Sequence, residues 1–347
     1  MAIISTSKLI TIDRYFAEEK DLHPHATGEF TNLMHDLILA IRIIAIEVRR
    51  AGINDIMGIT DFVNINGDKV RKLDEYANEV IYRSMIRSGK LCAIVSEEFD
   101  DVITIPSKYK KGKYILAYDP IDGSTNIDVG ISIGTTFSLY KRLDPNSVDD
   151  PTADDILQPG YKQEAAGYVL YGSSTILVYT TGNGVNVFTY DPTIGEFILT
   201  FEKLKIPKRG TLYSCNESNS PGWDKEVRQY LDYLKKPNDS GKQPYSLRYV
   251  ATAVADIHRT LHYGGIYMYP ASPNHPDGKI RILYEANPLA MIIEQAGGRA
   301  STGTKRILDI KPYTIHQPVP FFVGSKDDVL DAEMFIKGEH PSLKSPS

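Results

Sequence analysis

Residues 118–128 read YDPIDGSTNID. Asp119 and Asp122 flank a proline and an isoleucine, and Gly123, the hydroxyls of Ser124 and Thr125 and the amide of Asn126 come immediately after. All are turn-forming residue types, so a sharp turn is one reading of the stretch. The surrounding chain suggests a chemical one. A second acid pair, Glu97 and Glu98, closes LCAIVSEE (91–98), while KYILAYDP (113–120) runs into Asp119. Both are short apolar runs of the kind that form buried strands. If their C-terminal ends are neighbours, four carboxylates meet, and like-charge repulsion raises some of their pKa values. Divalent cations remove that penalty, and an all-oxygen ligand set suits Mg²⁺ or Mn²⁺. Solvated acids at two loop starts explain either pair alone; both pairs, each directly behind an apolar run, favour a metal site. A helix starting at Gly123 would add free N–H groups and a positive dipole end beside the acids. Metal-binding carboxylates on one side and anion-binding amides on the other suit a phosphate ester.

Other chemistries find less support. His258 and His262 (IHRTLH) are four apart and fit one helix face, but no glutamate of the HExxH kind accompanies them, which makes a structural pair the better reading. There is no GxSxG elbow, Walker loop or GxGxxG, and Gly182-x-Gly184 reads as a hairpin turn. Only Cys92 and Cys215 are present, in no CxxC pair, so neither a disulfide framework nor a structural zinc site is expected. The net charge of −5 leaves no broad footprint for nucleic acid or an anionic membrane. No run approaches the roughly 18–20 apolar residues of a membrane span. The N-terminus lacks a basic region followed by a long apolar stretch. A cytoplasmic location is expected.

The elements that position these residues are read from periodicity. Phe30, Leu33, Met34, Leu37, Ile38, Ile41, Ile44, Ala45 and Val48 stand at helical spacing over residues 30–50, with Gly52 as a stop. A second helix is expected near Asp74, with that residue as its N-cap. From 130 to 200 come repeated strands, broken by a polar connection at 144–155. A boundary falls near KLKIPKRG (203–210), and helix and strand alternate beyond it. Chain length of 347 residues and 42% apolar content permit two units. The expectation is a layered α/β protein, with a mixed sheet region in residues 1–204 and a second α/β unit in residues 205–347.

With DPIDGSTN and VSEE, the chain resembles the metal-dependent, lithium-sensitive sugar and inositol phosphatases. From about residue 10 to residue 336 it resembles the class I fructose-1,6-bisphosphatase family, through GEFTNLMHDL, VRRAGI, GDKVRKLD, GKYILAYDPIDGSTNID, LQPG, AAGYVLYGS, DPTIGEFIL, RYVATAVADIHRTLHYGGIYMYPA, LYEANPLAMIIEQAGG and VGSKDDV, in that order. The resemblance implies a layered α-β-α-β-α sugar phosphatase fold. It implies hydrolysis of the 1-phosphate of fructose 1,6-bisphosphate, a step of gluconeogenesis. Glu97, Glu98, Asp119, Asp122, Glu285 and the carbonyl of Ile121 would hold two to three Mg²⁺ ions per subunit, with Mn²⁺ or Zn²⁺ as alternatives. Glu98 and Asp74 would orient or deprotonate the attacking water, and Asp68 would come from a loop that closes over the site. Asp122, Gly123, Ser124, Thr125, Asn216, Arg248, Tyr249, Tyr269, Lys279 and Arg281 would bind substrate, with Arg248 reaching in from a neighbouring subunit of a homotetramer.

A second site is implied at the start of the first long helix, where this family binds the inhibitor AMP. Its residues here would be Glu19, Thr27, Gly28, Glu29, Phe30, Thr31, Lys113, Tyr114 and Lys141. Lys141 stands where arginine is usual and lacks the bidentate fork. A capped helix beside surface polar residues is the alternative. Two further departures, Asn219 for a usual tyrosine and Ala253 for a usual methionine, leave room for sedoheptulose-1,7-bisphosphatase activity. A non-catalytic nucleotide-sensing or scaffold protein is a third possibility, against which the full acid set argues. Neither nucleic acid nor membrane is expected as a partner.

Overall fold

The structure, a computed structural model, describes residues 9–22, 28–53, 58–63, 69–237 and 243–343. Helix α1 spans Ile12–Leu22 and α2 Gly28–Arg50. The helical spacing of the long N-terminal stretch is borne out: Leu33, Met34, Leu37, Ile38, Ile41, Ile44 and Ala45 of α2 are buried on one face. Strands β1 (Ile59–Val63) and β2 (Lys69–Arg71) form a small antiparallel pair leading into α3 (Lys72–Ile86). Asp74 is not the N-cap of α3, as expected from sequence. It lies in the first turn, and its Oδ2 accepts the backbone N–H of Arg71 at 3.2 Å. A carboxylate at that position reaches back to the cap amide, which serves the helix start equally well.

The main sheet contains β3 (Leu91–Ser96), β4 (Ile103–Thr104), β5 (Tyr114–Asp122), β6 (Ile133–Lys141), β7 (Gln163–Tyr171), β8 (Thr175–Thr180), β9 (Asn186–Asp191) and β10 (Glu196–Phe201), in the order β10-β9-β8-β7-β6-β5-β3-β4. It is mixed, because β3 and β5 run parallel while the other pairs are antiparallel. Gly182 and Gly184, both at positive φ, turn the chain between β8 and β9. The polar connection before β7 holds one helical turn, α4 (Ala153–Ile156), capped by Thr152, whose Oγ1 accepts from Asp155 N at 3.2 Å.

The second sheet has the order β12-β11-β13-β17-β15, from β11 (Leu212–Ser214), β12 (Ser246–Leu247), β13 (Ile266–Tyr269), β15 (Arg299–Ser301) and β17 (Phe321–Gly324). Strands β14 (Ile280–Arg281) and β16 (Pro318–Val319) pair separately. Helices α5 (Lys225–Lys235), α6 (Ala253–Tyr263), α7 (Asn287–Gln295) and α8 (Lys326–Ile336) complete the chain.

Alternation along the strands divides the core into layers. Tyr114, Leu116 and Tyr118 of β5 face α1, α2 and α3. Ile115 and Ala117 face the opposite way, into a core shared with α6, α7 and the inner face of the second sheet. The outer face of that second sheet, through Tyr213, Ile266, Met268 and Phe322, packs on α5 and α8. The succession is α-β-α-β-α. Among the described residues no helix is long and apolar enough to cross a membrane.

Candidate active site

Residues Asp119 and Asp122 are an odd number of positions apart, so a regular strand would send their side chains to opposite faces. A bulge prevents this. Asp119 pairs with Thr136 and Asp122 with Gly134, so β5 spends one more residue than β6 over this stretch. Pro120 has no N–H to lose there, and its carbonyl accepts from Thr135 Oγ1 at 2.6 Å. Both carboxylates thereby line one cleft of about 420 Å³. Glu97 and Glu98 come directly after β3, whose parallel register sets Ser96 beside Tyr118, and they line the same cleft. The expected meeting of two strand ends is what the sheet produces.

Glu285 arrives from far along the chain, on a π-helical turn (Ile282–Ala286) that runs into α7. The carbonyls of that turn are held by β6: Ser138 Oγ donates to Leu283 O at 2.8 Å, and Thr136 Oγ1 donates to Tyr284 O. Asp119, Asp122 and Glu285 each present an oxygen within 4.8 Å of the others. Each has a firm second contact. Asp119 Oδ1 accepts Ile121 N at 2.9 Å, Glu285 Oε2 accepts Arg281 N at 2.6 Å, and Asp122 Oδ2 accepts Val254 N at 2.7 Å together with the Thr252 hydroxyl.

The electrostatics describe a site short of positive charge. Burial, then the charges of Glu97, Glu285 and Asp122, hold the Asp119 carboxyl well above the usual carboxylate range. Burial and the charges of Glu97 and Asp122 do the same to Glu285. Burial raises Asp122, offset in part by donors from Thr252 and the α6 backbone. Burial, reinforced by Glu98, pushes Asp74 up to about 8. The second oxygen of Asp74 is buried with no hydrogen-bond partner. Clustered, buried hard oxygens with excess negative charge fit a divalent cation.

Gly123 turns the chain away from the acids at φ 79°, and a Cβ there would lie 2.5 Å from Thr252 Cβ. The chain then enters a 3₁₀ turn (Ser124–Val129), not the α-helix on which the dipole argument rested. Glycines in the left-handed conformation, Gly123 and Gly130, bound it at both ends, and Gly123, Ser124 and Thr125 still line the cleft. Tyr249, Tyr267, Tyr269, Lys279 and Arg281 line the same cleft. Asn216 and Arg248 do not line it. The Asn216 amide oxygen accepts from Ser218 N at 3.2 Å and Ser218 Oγ at 2.6 Å, and the exposed Arg248 donates to its neighbour's carbonyl at 2.8 Å. Asp68 and Thr27 lie outside the described residues.

Sequence reasoning missed Arg71, Ala251, Thr252, Val254 and Tyr267. Thr252 carried a faint signal as a hydroxyl residue ahead of an apolar helix. Arg71, which lines the cleft and pairs with Asp128, carried none.

The second implied site gathers residues from α2, β5 and β6. Lys113 Nζ meets Glu29 Oε2 at 2.7 Å and, through that contact first, lowers the glutamate's pKa. Phe30 packs edge-on against Tyr114 at 5.9 Å, and Lys141 is the cross-strand partner of Tyr114. Gly28 and Thr31 are half-buried in the first turn of α2, and only the backbone of Glu19 is described, within α1. His258 and His262 are in ring contact at 4.7 Å, and His258 Nδ1 lies 2.8 Å from the Tyr168 hydroxyl. That is a packing role.

Comparison with known families gives two adjacent matches. The family model described as fructose-1-6-bisphosphatase, N-terminal domain, matches residues 10–202, and the corresponding C-terminal domain matches residues 206–337. The chain belongs to the fructose-1,6-bisphosphatase family. A fructose-1,6-bisphosphatase class 1 from Nitratidesulfovibrio vulgaris is 50% identical, over 92% of this chain and 96% of its own length. One from Chlorobium phaeobacteroides is 49% identical over 96% of this chain and 99% of its own. The crystal structure of Leishmania major fructose-1,6-bisphosphatase in holo form superposes with a TM-score of 0.88 at 37% identity, covering 95% of this chain and 99% of that one. The layered α/β fold expected from sequence is the fold of this family.

Proposed function

We propose that this chain hydrolyses the 1-phosphate of fructose 1,6-bisphosphate to fructose 6-phosphate and phosphate, as in gluconeogenesis. The observation that carries the reading is the buried acid cluster in a cleft also lined by tyrosines, Lys279 and Arg281, in a protein of this family. Glu97, Glu98, Asp119, Asp122, Glu285 and the Ile121 carbonyl would hold Mg²⁺, two to three ions per subunit, supplying charge stabilisation at phosphorus and a water of lowered pKa. The remaining work falls to the chain itself. Gly123 allows the backbone to approach a phosphate closely, and Ser124 and Thr125 offer hydroxyl donors. Lys279 and Arg281 would bring positive charge to the substrate's phosphates, and Tyr249 and Tyr269 would flank the sugar. Asp74, raised to about 8 and with an unpartnered oxygen, is suited to take a proton from the attacking water at mildly alkaline pH, where it is ionised. A new P–O bond forms from that water as the bond to the sugar oxygen breaks.

Homotetramer formation, a cytoplasmic location and inhibition by AMP belong to the same reading. The Glu29–Lys113 pair and the Phe30–Tyr114 contact support a nucleotide site at the start of α2. The deciding experiment is Mg²⁺-dependent phosphate release from fructose 1,6-bisphosphate beside sedoheptulose 1,7-bisphosphate, with and without AMP. Preference for the fructose ester with AMP inhibition is expected. Preference for the seven-carbon ester would sink the substrate assignment, and turnover indifferent to AMP would sink the nucleotide site.

A further inference from the structure

His316 does not itself line the cleft, yet its ring joins two of the segments that carry the acids. Its Nε2 lies 3.0 Å from the carbonyl oxygen of Phe99, the residue after Glu98. Its Nδ1 lies 2.7 Å from the hydroxyl of Tyr284, the residue before Glu285. A carbonyl can only accept, so Nε2 carries the hydrogen, and burial lowers the imidazole's pKa, which leaves Nδ1 to accept from the tyrosine. The ring is a neutral, fully used bridge. The neighbouring backbone strengthens one side of it. Arg281 Nη1 donates to His316 O at 3.2 Å, while the Arg281 N–H holds Glu285 at 2.6 Å. Ile282 N donates to Gln317 O at 2.9 Å. On the other side the Phe99 ring packs against Tyr82 of α3 at 5.7 Å, and Phe99 N donates to Ser96 O at 3.3 Å. The Glu97–Glu98 turn and the π-helical turn of Glu285 belong to different layers, and nothing in the sheet register relates them directly.

We propose that His316 is a positioning residue that fixes the separation between the Glu97–Glu98 turn and Glu285, and through it the affinity of the acid cluster for divalent cations. The inference rests on the metal reading of that cluster. Groups that orient metal ligands from outside typically change metal affinity roughly 10–100-fold when removed.

The test is Mn²⁺ binding to metal-free protein, followed by the paramagnetic signal of free Mn²⁺, beside melting in chelator. His316→Phe keeps a ring of similar size and removes both hydrogen bonds. Its Mn²⁺ dissociation constant is expected to rise roughly 10–100-fold, with melting in chelator lowered by only a few degrees. His316→Gln, whose amide offers one donor and one acceptor, should recover part of the loss. Wild-type Mn²⁺ affinity in a destabilised His316→Phe would reduce the residue to packing and overturn the proposal. Should that variant fail to fold, Tyr284→Phe breaks one arm of the bridge alone, and unchanged Mn²⁺ affinity there overturns it equally. If wild-type protein binds no Mn²⁺, the metal reading itself fails and this inference with it.

Discussion

A carboxyl group with a buried, unpartnered oxygen is costly unless the site uses it. Asp74 is such a group, and Asp74→Asn tests that use while keeping the acceptor for Arg71 N. The expected loss in kcat is roughly 10²–10⁴, the usual worth of a positioned base. Its effect on stability has the opposite sign. A carboxyl raised from 3.8 to about 8 in the fold stabilises it fully below pH 3.8, and that contribution is lost as pH rises through 8. In chelator the variant should therefore melt above wild type at pH 8.5 and near it at pH 4. A variant less stable at both pH values would contradict the burial argument. The same logic applies to Asp119, Asp122 and Glu285, all raised by burial and mutual charge, where cations compete with protons. The gain in melting temperature on adding Mg²⁺ should grow from pH 5.5 to pH 8, and a gain independent of pH would argue that the ion binds elsewhere. Asp119 and Asp122 were legible in the sequence because they close an apolar strand. Asp74 and Glu285 stand at helix starts, where an acid is ordinary, and only the family resemblance marked them as site residues. Thr252 and His316 were not legible, because the groups they hold lie 130 and 217 residues away and no local pattern marks such a pairing.

Strands β3 and β5 were readable as continuous apolar runs, since each is buried on both faces, and α2 as a 3.6-residue stripe. The devices between elements were harder to see. Proline and glycine in DPIDG announce an interruption, but whether it is a helix start or a bulge with a 3₁₀ turn depends on what packs above it. That is Thr252, at the start of α6, whose hydroxyl holds Asp122. Gly123 makes the contact possible. Gly123→Ala would force a side chain into the left-handed region and bring its Cβ to 2.5 Å from Thr252 Cβ. The expected cost is about 1–3 kcal/mol of stability. Because α6 must recede to admit the methyl, Asp122 should lose its Thr252 and Val254 donors, and Mg²⁺ affinity should fall together with kcat. Thermal melting and a Mg²⁺ activation curve on one preparation check both. Reduced stability with an unchanged activation curve would mean that the turn yields without moving α6.

At the scale of the whole molecule, five layers bury most apolar helix and strand faces among the described residues, and the outward face of α2 is an exception. Leu39, Ile43 and Ile46 recur at i, i+4 and i+7 and keep 52%, 36% and 44% of their surface exposed. A helix in the outermost layer of a lone subunit gains nothing from such a stripe. Covering the surface these three aliphatic side chains still expose contributes about 1 kcal/mol each, roughly half the value of a full burial, and a self-complementary patch receives that contribution from both copies. The same helix begins at Gly28, beside the Glu29–Lys113 pair, so a contact along α2 would also link the proposed nucleotide sites of adjoining subunits. Replacing Leu39 and Ile43 with glutamate should therefore split the proposed tetramer into smaller species, read by light scattering on a sizing column. Melting should change little if measured at concentrations where both proteins are dissociated, because neither side chain belongs to the core. Any AMP inhibition that depends on subunit contact should weaken in the same variant, while turnover at a cleft built from β3, β5 and the Glu285 turn should persist. An unchanged scattering mass would remove α2 from the assembly and leave its apolar face without a partner.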